Sequence, residues 1–314
     1  MSPSLPTSGS DTTFDSLQYS LNYAPGVEKH FWSYARNQII ERLLRRISAD
    51  IADGKICVLD VGCGPGIFVD HLRRAGIDCR GVELGHPQLR PGLEDHIAIG
   101  TDATQLPSAL RERIGVILLL DVVEHIEDPG AFLRALLQAL PNVRHVVIAV
   151  PARMELWSNY DEFYGHFMRY GRRTLLLLAR QAGLKPLELK YIFFGLYPVM
   201  WFLSRFVGKR SVEATPPSGM SVPFHALLGR VFSLEERLPL MGYLPGTSVI
   251  GAFSVPDPRS PVSHPCCQKI PCRRQPIIPR SRSSCPASMK RRELTNSFGV
   301  AAKARRLFSV QVSN

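Results

Sequence analysis

The chain has 314 residues and is 45% apolar, enough to bury a sizeable core in one large domain or two small ones. Its net charge of +11 is unevenly placed: residues 257–314 hold 12 Lys/Arg against 2 Asp/Glu, so the rest of the chain sums to about +1. A near-neutral body argues against nucleic acid as a partner of the core, which would need a basic face of its own.

Residues 1–26 are rich in Ser, Thr, Pro and Asp and read as a mobile N-terminus. They contain no apolar run of the kind a secretory signal requires. Over residues 27–52, Ile39, Ile40, Leu43, Leu44 and Ile47 recur at helical spacing, with Arg42, Arg45 and Arg46 between them. An alternation follows. Ile56–Val61 reads as a strand, Ile67–Ala75 as a helix opened by glycines, and Asp78–Glu83 as a strand. His96–Gly100 is a weaker strand, and Val116–Leu120 is wholly apolar. Pro129–Leu140 is a helix with Pro at its start, and His145–Val150 another buried strand. This pace predicts an α/β fold, a Rossmann-like, mainly parallel sheet with helices on both faces.

Beyond Pro151 the pattern loosens. Residues 152–172 are polar and aromatic. Thr174–Ala182 reads as a helix stopped by Gly183, Leu187–Phe194 as a strand, and Ala226–Leu238 as an amphipathic helix. Thr247–Val255 reads as a last, antiparallel strand, preceded by a helical insertion over 195–240 expected to cover an acceptor site. Residues 256–314, with Pro, Ser and Arg but no lasting period, read as a disordered basic tail. Cys57, Cys63 and Cys79 fall in or beside strands, where thiols pack as small hydrophobes. Cys266, Cys267, Cys272 and Cys285 lie in the tail without a zinc spacing. Together they predict a reducing, cytoplasmic setting.

The chemistry concentrates in Val58-Leu59-Asp60-Val61-Gly62-Cys63-Gly64-Pro65-Gly66, a strand running through a glycine turn into a helix. A strand end in an open α/β sheet delivers a ligand to the carboxyl edge. Glycines let the backbone pass close to it. The helix start offers free N–H groups to an anion. A dinucleotide fingerprint would need glycine at Ile67. Here the third glycine comes one residue early, and Asp60 precedes the first by two. Glu83 ends the next strand, within reach of a ribose, although a solvated strand end carries the same residue. Thr101-Asp102-Ala103 follows the third strand, and Asp121 ends the fourth.

This D-x-G-x-G-x-G form resembles motif I of the class I S-adenosylmethionine (SAM) dependent methyltransferases. The resemblance spans residues 56–255 and is sharpest over 58–150. It implies a seven-stranded sheet and SAM as cofactor. The contacts it implies are Asp60, Gly62, Cys63, Gly64, Gly66, Glu83, Asp102, Ala103 and Asp121, with Asp102 and Ala103 at the adenine. On it rests a division into a SAM-binding half, 56–150, and an acceptor half, 151–255. It also implies transfer of a methyl group to a small-molecule acceptor, with oxygen favoured.

Asp121-x-x-Glu124-His125 resembles the E-x-x-E-H segment of ubiquinone-biosynthesis O-methyltransferases and small-RNA 2′-O-methyltransferases, where it contributes to a metal site. Here Asp121 replaces the first Glu. Metal ligation, an acceptor contact and a structural hydrogen bond stay open for it. Gly165-His166-Phe167-Met168-Arg169-Tyr170 resembles the G-H-x-R-x-Y stretch of small-molecule members. His125 and His166 are therefore the candidate catalytic residues. Tyr191–Val207 holds Phe193, Phe194, Tyr197, Trp201, Phe202 and Phe206 before Lys209 and Arg210. It is too short to span a bilayer. It is either buried core or a peripheral membrane contact that would suit an apolar or lipid-linked acceptor. Alternatives to the enzyme are a SAM-binding interaction protein without activity and an RNA methyltransferase.

Overall fold

The computed structural model describes residues 14–256, apart from 208, 210, 239 and 240. The expected basic tail from 257 on lies outside the described residues. Seven strands make one sheet: β1 Cys57–Val61, β2 Cys79–Glu83, β3 Ile97–Ile99, β4 Ile114–Leu120, β5 His145–Pro151, β6 Lys185–Ile192 and β7 Ser248–Ser254. The described helices are α1 Ser16–Asn22, α2 Phe31–Ile47, α3 Ala49–Ala52, α4 Ile67–Arg74, α5 Ser108–Arg111, α6 Pro129–Ala139, α7 Asn159–Phe163, α8 Arg172–Gln181, α9 Tyr197–Phe206 and α10 Ser221–Glu235.

The strand order is β3-β2-β1-β4-β5-β7-β6. β1 to β5 pair in parallel, and β7 runs antiparallel between β5 and β6. The order reverses between β1 and β4, so ligand space opens beyond their carboxyl ends. Side chains alternate across the pleat. Val58, Val116 and Leu118 pack in the layer that contains α2 and α4 residues. Leu59, Val61, Ile117 and Leu119 pack in the opposite layer, with α6 and α8 residues. By the same alternation Asp60 shares the face of Val58, toward α2.

Three readings change. The N-terminal stretch read as mobile contains helix α1, capped by Asp15, whose carboxylate accepts from Gln18 N at 2.7 Å. The strand read as Leu187–Phe194 ends at Ile192. Phe193 follows in the left-handed region, φ 60°, with its ring buried against Trp32 and Phe232. The insertion does not cover the crevice with its helices: α10 packs on α2, and α9 on Met154–Leu156. The loop between them makes the approach. The Tyr164 hydroxyl donates to Val212 O at 2.9 Å, and Ala214 N donates to Leu21 O at 2.9 Å.

An ion cluster fastens α10 to the rest. Glu236, with a side chain 2% exposed, accepts from Arg42 Nε at 2.9 Å and pairs with Arg46 and Lys190. Burial alone would raise its pKa, but the hydrogen bonds from Lys190 and Arg42 hold it at about 2. Glu236→Ala would leave Arg42 without its carboxylate, while Arg46 and Lys190 keep Glu188, and should cost roughly 1–2 kcal/mol in urea unfolding. The folded pKa is depressed, so this stabilisation is present above the unfolded value of 4.5 and fades as pH falls toward 2.

Candidate active site

The glycine turn after β1 needs its glycines for different reasons. Gly62, Gly64 and Gly66 all have left-handed φ, at 73°, 54° and 88°, a region that a Cβ disfavours. At Gly66 a Cβ would stand 2.3 Å from Ile97 and 2.7 Å from Leu93, so this glycine lets the start of α4 close on the core. At Gly64 it would meet the Tyr23 ring at 2.8 Å, on the crevice side. The Cys63 thiol is buried and packs beneath the turn, where a Cβ on Gly81 would lie 2.6 Å from Sγ.

The crevice is walled by Gly62, Glu83, Asp102, Ala103, Asp121, His125 and Phe132, and by Phe14, Tyr19 and Tyr23 from the N-terminal segment. Glu83 accepts from Gly64 N at 2.8 Å, Gly85 N at 3.0 Å and the Tyr19 hydroxyl at 3.0 Å. Asp102 accepts from Thr104 N at 2.7 Å and caps the turn that begins at Ala103. Asp121 ends β4 with φ 57°, a strained value for a residue with a side chain. The turn carries its carboxylate to Arg36 of α2, with which it forms an ion pair.

Arg36 lies 4.6 Å from the centre of the Trp32 ring, and its Nε is buried with no hydrogen-bond partner. Asp60, 2% exposed, has Oδ1 buried and also without a partner. Burial, opposed by Arg36, raises the Asp60 carboxyl to about 7. The sequence reading missed Arg36. Its signal was its position: it stands four residues before Ile40 on the apolar stripe of α2, where a cation calls for a partner. Tyr19 and Tyr23 were missed because a short polar-flanked helix carries no lasting apolar period.

The second cluster is assembled by backbone hydrogen bonds between distant segments. Phe167 N donates to Glu124 O at 2.7 Å, and the Tyr170 hydroxyl to Val123 O at 3.3 Å. This brings the His166 ring edge-on to His125, with centroids 4.6 Å apart. Asp161, fully buried, accepts from His166 Nδ1 at 2.8 Å and Arg169 Nε at 2.7 Å. Burial opposes its ionisation, but those two hydrogen bonds hold it at about 2. Asp161 therefore takes the Nδ1–H of His166 and sets the orientation of the ring, with Nε2 on the side away from the carboxylate.

Glu124 is buried, and neither carboxylate oxygen has a hydrogen-bond partner. Burial, then Asp121, pushes its pKa well above the usual range. Glu124, His125 and His166 offer ligand atoms within 4.8 Å of one another. The metal-capable set thus replaces Asp121, which Arg36 engages, with His166. Burial, then His166, lowers His125 to about 4.

A mainly parallel doubly wound sheet with antiparallel last strands, a glycine turn after β1 and acids at successive strand ends define the class I SAM-dependent methyltransferases. The sequence profile of a methyltransferase domain matches residues 31–189. The chain belongs to this methyltransferase family, and SAM is its cofactor. It is 26% identical over 151 residues to a ubiquinone biosynthesis O-methyltransferase of Bordetella avium, covering 41% of this chain and 62% of that one. It is 28% identical over 201 residues to the same-named protein of Cereibacter sphaeroides, covering 54% and 75%.

Among solved structures it is similar to a phosphoethanolamine N-methyltransferase 2 of Haemonchus contortus in complex with SAM. That match has 16% identity and a TM-score of 0.47, covering 78% of this chain and 61% of that one. A SAM-dependent methyltransferase of Archaeoglobus fulgidus matches at 17% identity and a TM-score of 0.39, covering 69% and 94%. These structural likenesses do not bear on the acceptor.

The residues fit the cofactor. An amino-acid end carries one ammonium and one carboxylate, which would answer the unpartnered Asp60 oxygen and Arg36 Nε. The Glu83 carboxylate stands at the end of β2, where a ribose would be met.

Proposed function

We propose that this chain transfers the methyl group of SAM to an oxygen of a small, apolar acceptor, with His166 as the general base. The observation that carries this is the Asp161–His166 pair: a buried carboxylate accepts from Nδ1 and orients the imidazole beside His125, which stands at the crevice wall, so that the other ring nitrogen is the one to take the acceptor's proton. The 24–31% identical relatives named ubiquinone biosynthesis O-methyltransferases support oxygen as the acceptor atom. SAM supplies an activated methyl on a sulfonium, so the protein's share is placement and removal of the acceptor proton. In this reading Asp60, Arg36 and Glu83 hold the cofactor, and Asp102 with Ala103 meets the adenine.

Incubation of the protein with labelled SAM and a panel of apolar phenols and catechols tests it. Label in an ether product is the expected result. Label only on amines or on RNA would refute it. A second reading rests on the unpartnered Glu124 oxygens: Glu124, His125 and His166 together could hold a divalent cation that lowers the acceptor's pKa. Loss of turnover on chelation, restored by added metal, would favour that reading.

Two further results are expected. Arg36→Met keeps the stem that packs on Trp32 but removes the cation. It should weaken S-adenosylhomocysteine binding by about 100-fold in calorimetry, in line with the roughly 2–5 kcal/mol of a truncated buried charge pair. His125, held at about 4, stays neutral across the neutral range. Its folded value lies below the unfolded 6.5, so its contribution to stability is lost as pH falls from 6.5 toward 4. His125→Gln should flatten that part of the melting-temperature profile.

A further inference from the structure

We propose that the outward faces of α9 and α10 form a docking surface for an anionic lipid bilayer. The sequence left Tyr191–Val207 as either buried core or a peripheral membrane contact. The structure divides that stretch: Ile192 and Phe193 are buried in the core, whereas α9 has no buried residue at all. Val199, Trp201, Phe202 and Phe206 are 43–65% exposed on it. α10 adds a second strip that the sequence did not assign to a surface. Phe224, Leu227, Val231 and Leu234 follow one another at helical spacing, and all are exposed.

The charges on these helices are sorted by sign. Arg205 of α9, Arg230 of α10 and Arg237 just beyond it are exposed. The acids beside them turn inward. Glu235 accepts from Phe194 N at 3.0 Å and Gly195 N at 3.4 Å, and Glu236 is held in the ion cluster with Arg42, Arg46 and Lys190. In the intervening loop, exposed Lys209 is offset by exposed Glu213. Glu155, beside the start of α9, is paired with Arg153.

The outward faces therefore combine large apolar side chains with cations and carry no exposed acid. That composition complements a layer of anionic headgroups over acyl chains. Apolar surface of this extent seldom stays uncovered. No helix among the described residues is long and apolar enough to cross a membrane, so the contact lies in the plane of the interface. This docking does not depend on the identity of the acceptor.

The test uses the full chain with phosphatidylcholine vesicles, with and without phosphatidylglycerol. Co-sedimentation is expected only with phosphatidylglycerol. It should weaken by about tenfold or more in Phe202→Glu/Phe206→Glu and in Arg230→Glu/Arg237→Glu, with melting temperature and S-adenosylhomocysteine affinity unchanged. Brominated lipid should quench a part of the tryptophan fluorescence that Trp201→Phe removes. Equal binding to neutral vesicles would overturn the proposal, as would vesicle binding without quenching of Trp201, which would place the contact elsewhere. Dimerisation abolished by Phe202→Glu, with no vesicle binding, would overturn it in favour of a second copy of the chain.

Discussion

Gly64→Val is expected to reduce SAM and S-adenosylhomocysteine affinity by about 100-fold or more, roughly 3 kcal/mol, while the protein stays folded. The argument rests on where the new atoms would go. Gly64 has φ 54°, and its Cβ would point at the Tyr23 ring on the crevice side, 2.8 Å away. A branched side chain would fill space beside Glu83, whose carboxylate accepts from Gly64 N. The left-handed backbone adds roughly 1–3 kcal/mol of strain, which a lowered melting temperature would register without loss of the fold. The contrast is Gly66→Val, two residues on. There the Cβ would meet Ile97 at 2.3 Å inside the core, and unfolding is the expected outcome. Calorimetry on both variants, with melting curves, checks the pair. Full affinity in a folded Gly64→Val would show that the turn is structural only.

His166→Ala is expected to lower turnover by about 100-fold or more with cofactor affinity within a few fold. Its imidazole is held by Asp161 at 2.8 Å and stands beside His125. Asp161→Asn should mimic part of the loss, because a carboxamide can donate to Nδ1 and favour the wrong tautomer. Arg169 would lose its charged partner in the same variant, so its melting temperature must be read alongside. Single-turnover rates with saturating cofactor separate the chemical step from binding. Unchanged rates in both His125→Ala and His166→Ala would leave placement alone as the source of catalysis.

The sequence by itself determined the layered architecture and picked out Glu83, Asp102 and Asp121, which line one crevice. Apolar runs of strand length alternating with helical periods leave few options besides a parallel sheet covered on both faces. Asp60 and the glycine turn, Glu83, Asp102 and Asp121 were legible because each sits at or just after the end of a predicted strand, and strand ends in such a sheet converge on one crevice. That convergence is local in sequence: strand, turn and helix start are contiguous.

Only the tertiary structure decided the rest, because the partners are far apart in the chain and no local period links them. Arg36 meets Asp121 because α2 packs on the same face of the sheet as Asp60. Tyr19 and Tyr23 become walls of the crevice because α1 lies across it. His166 joins His125 because the segment around it is hydrogen-bonded to the turn after β4. The exposure of α9 was likewise illegible, since an apolar run reads the same whether the fold covers it or leaves it facing out. Periodicity reports which residues share a face. Which face meets what is fixed only when elements distant in sequence pack together.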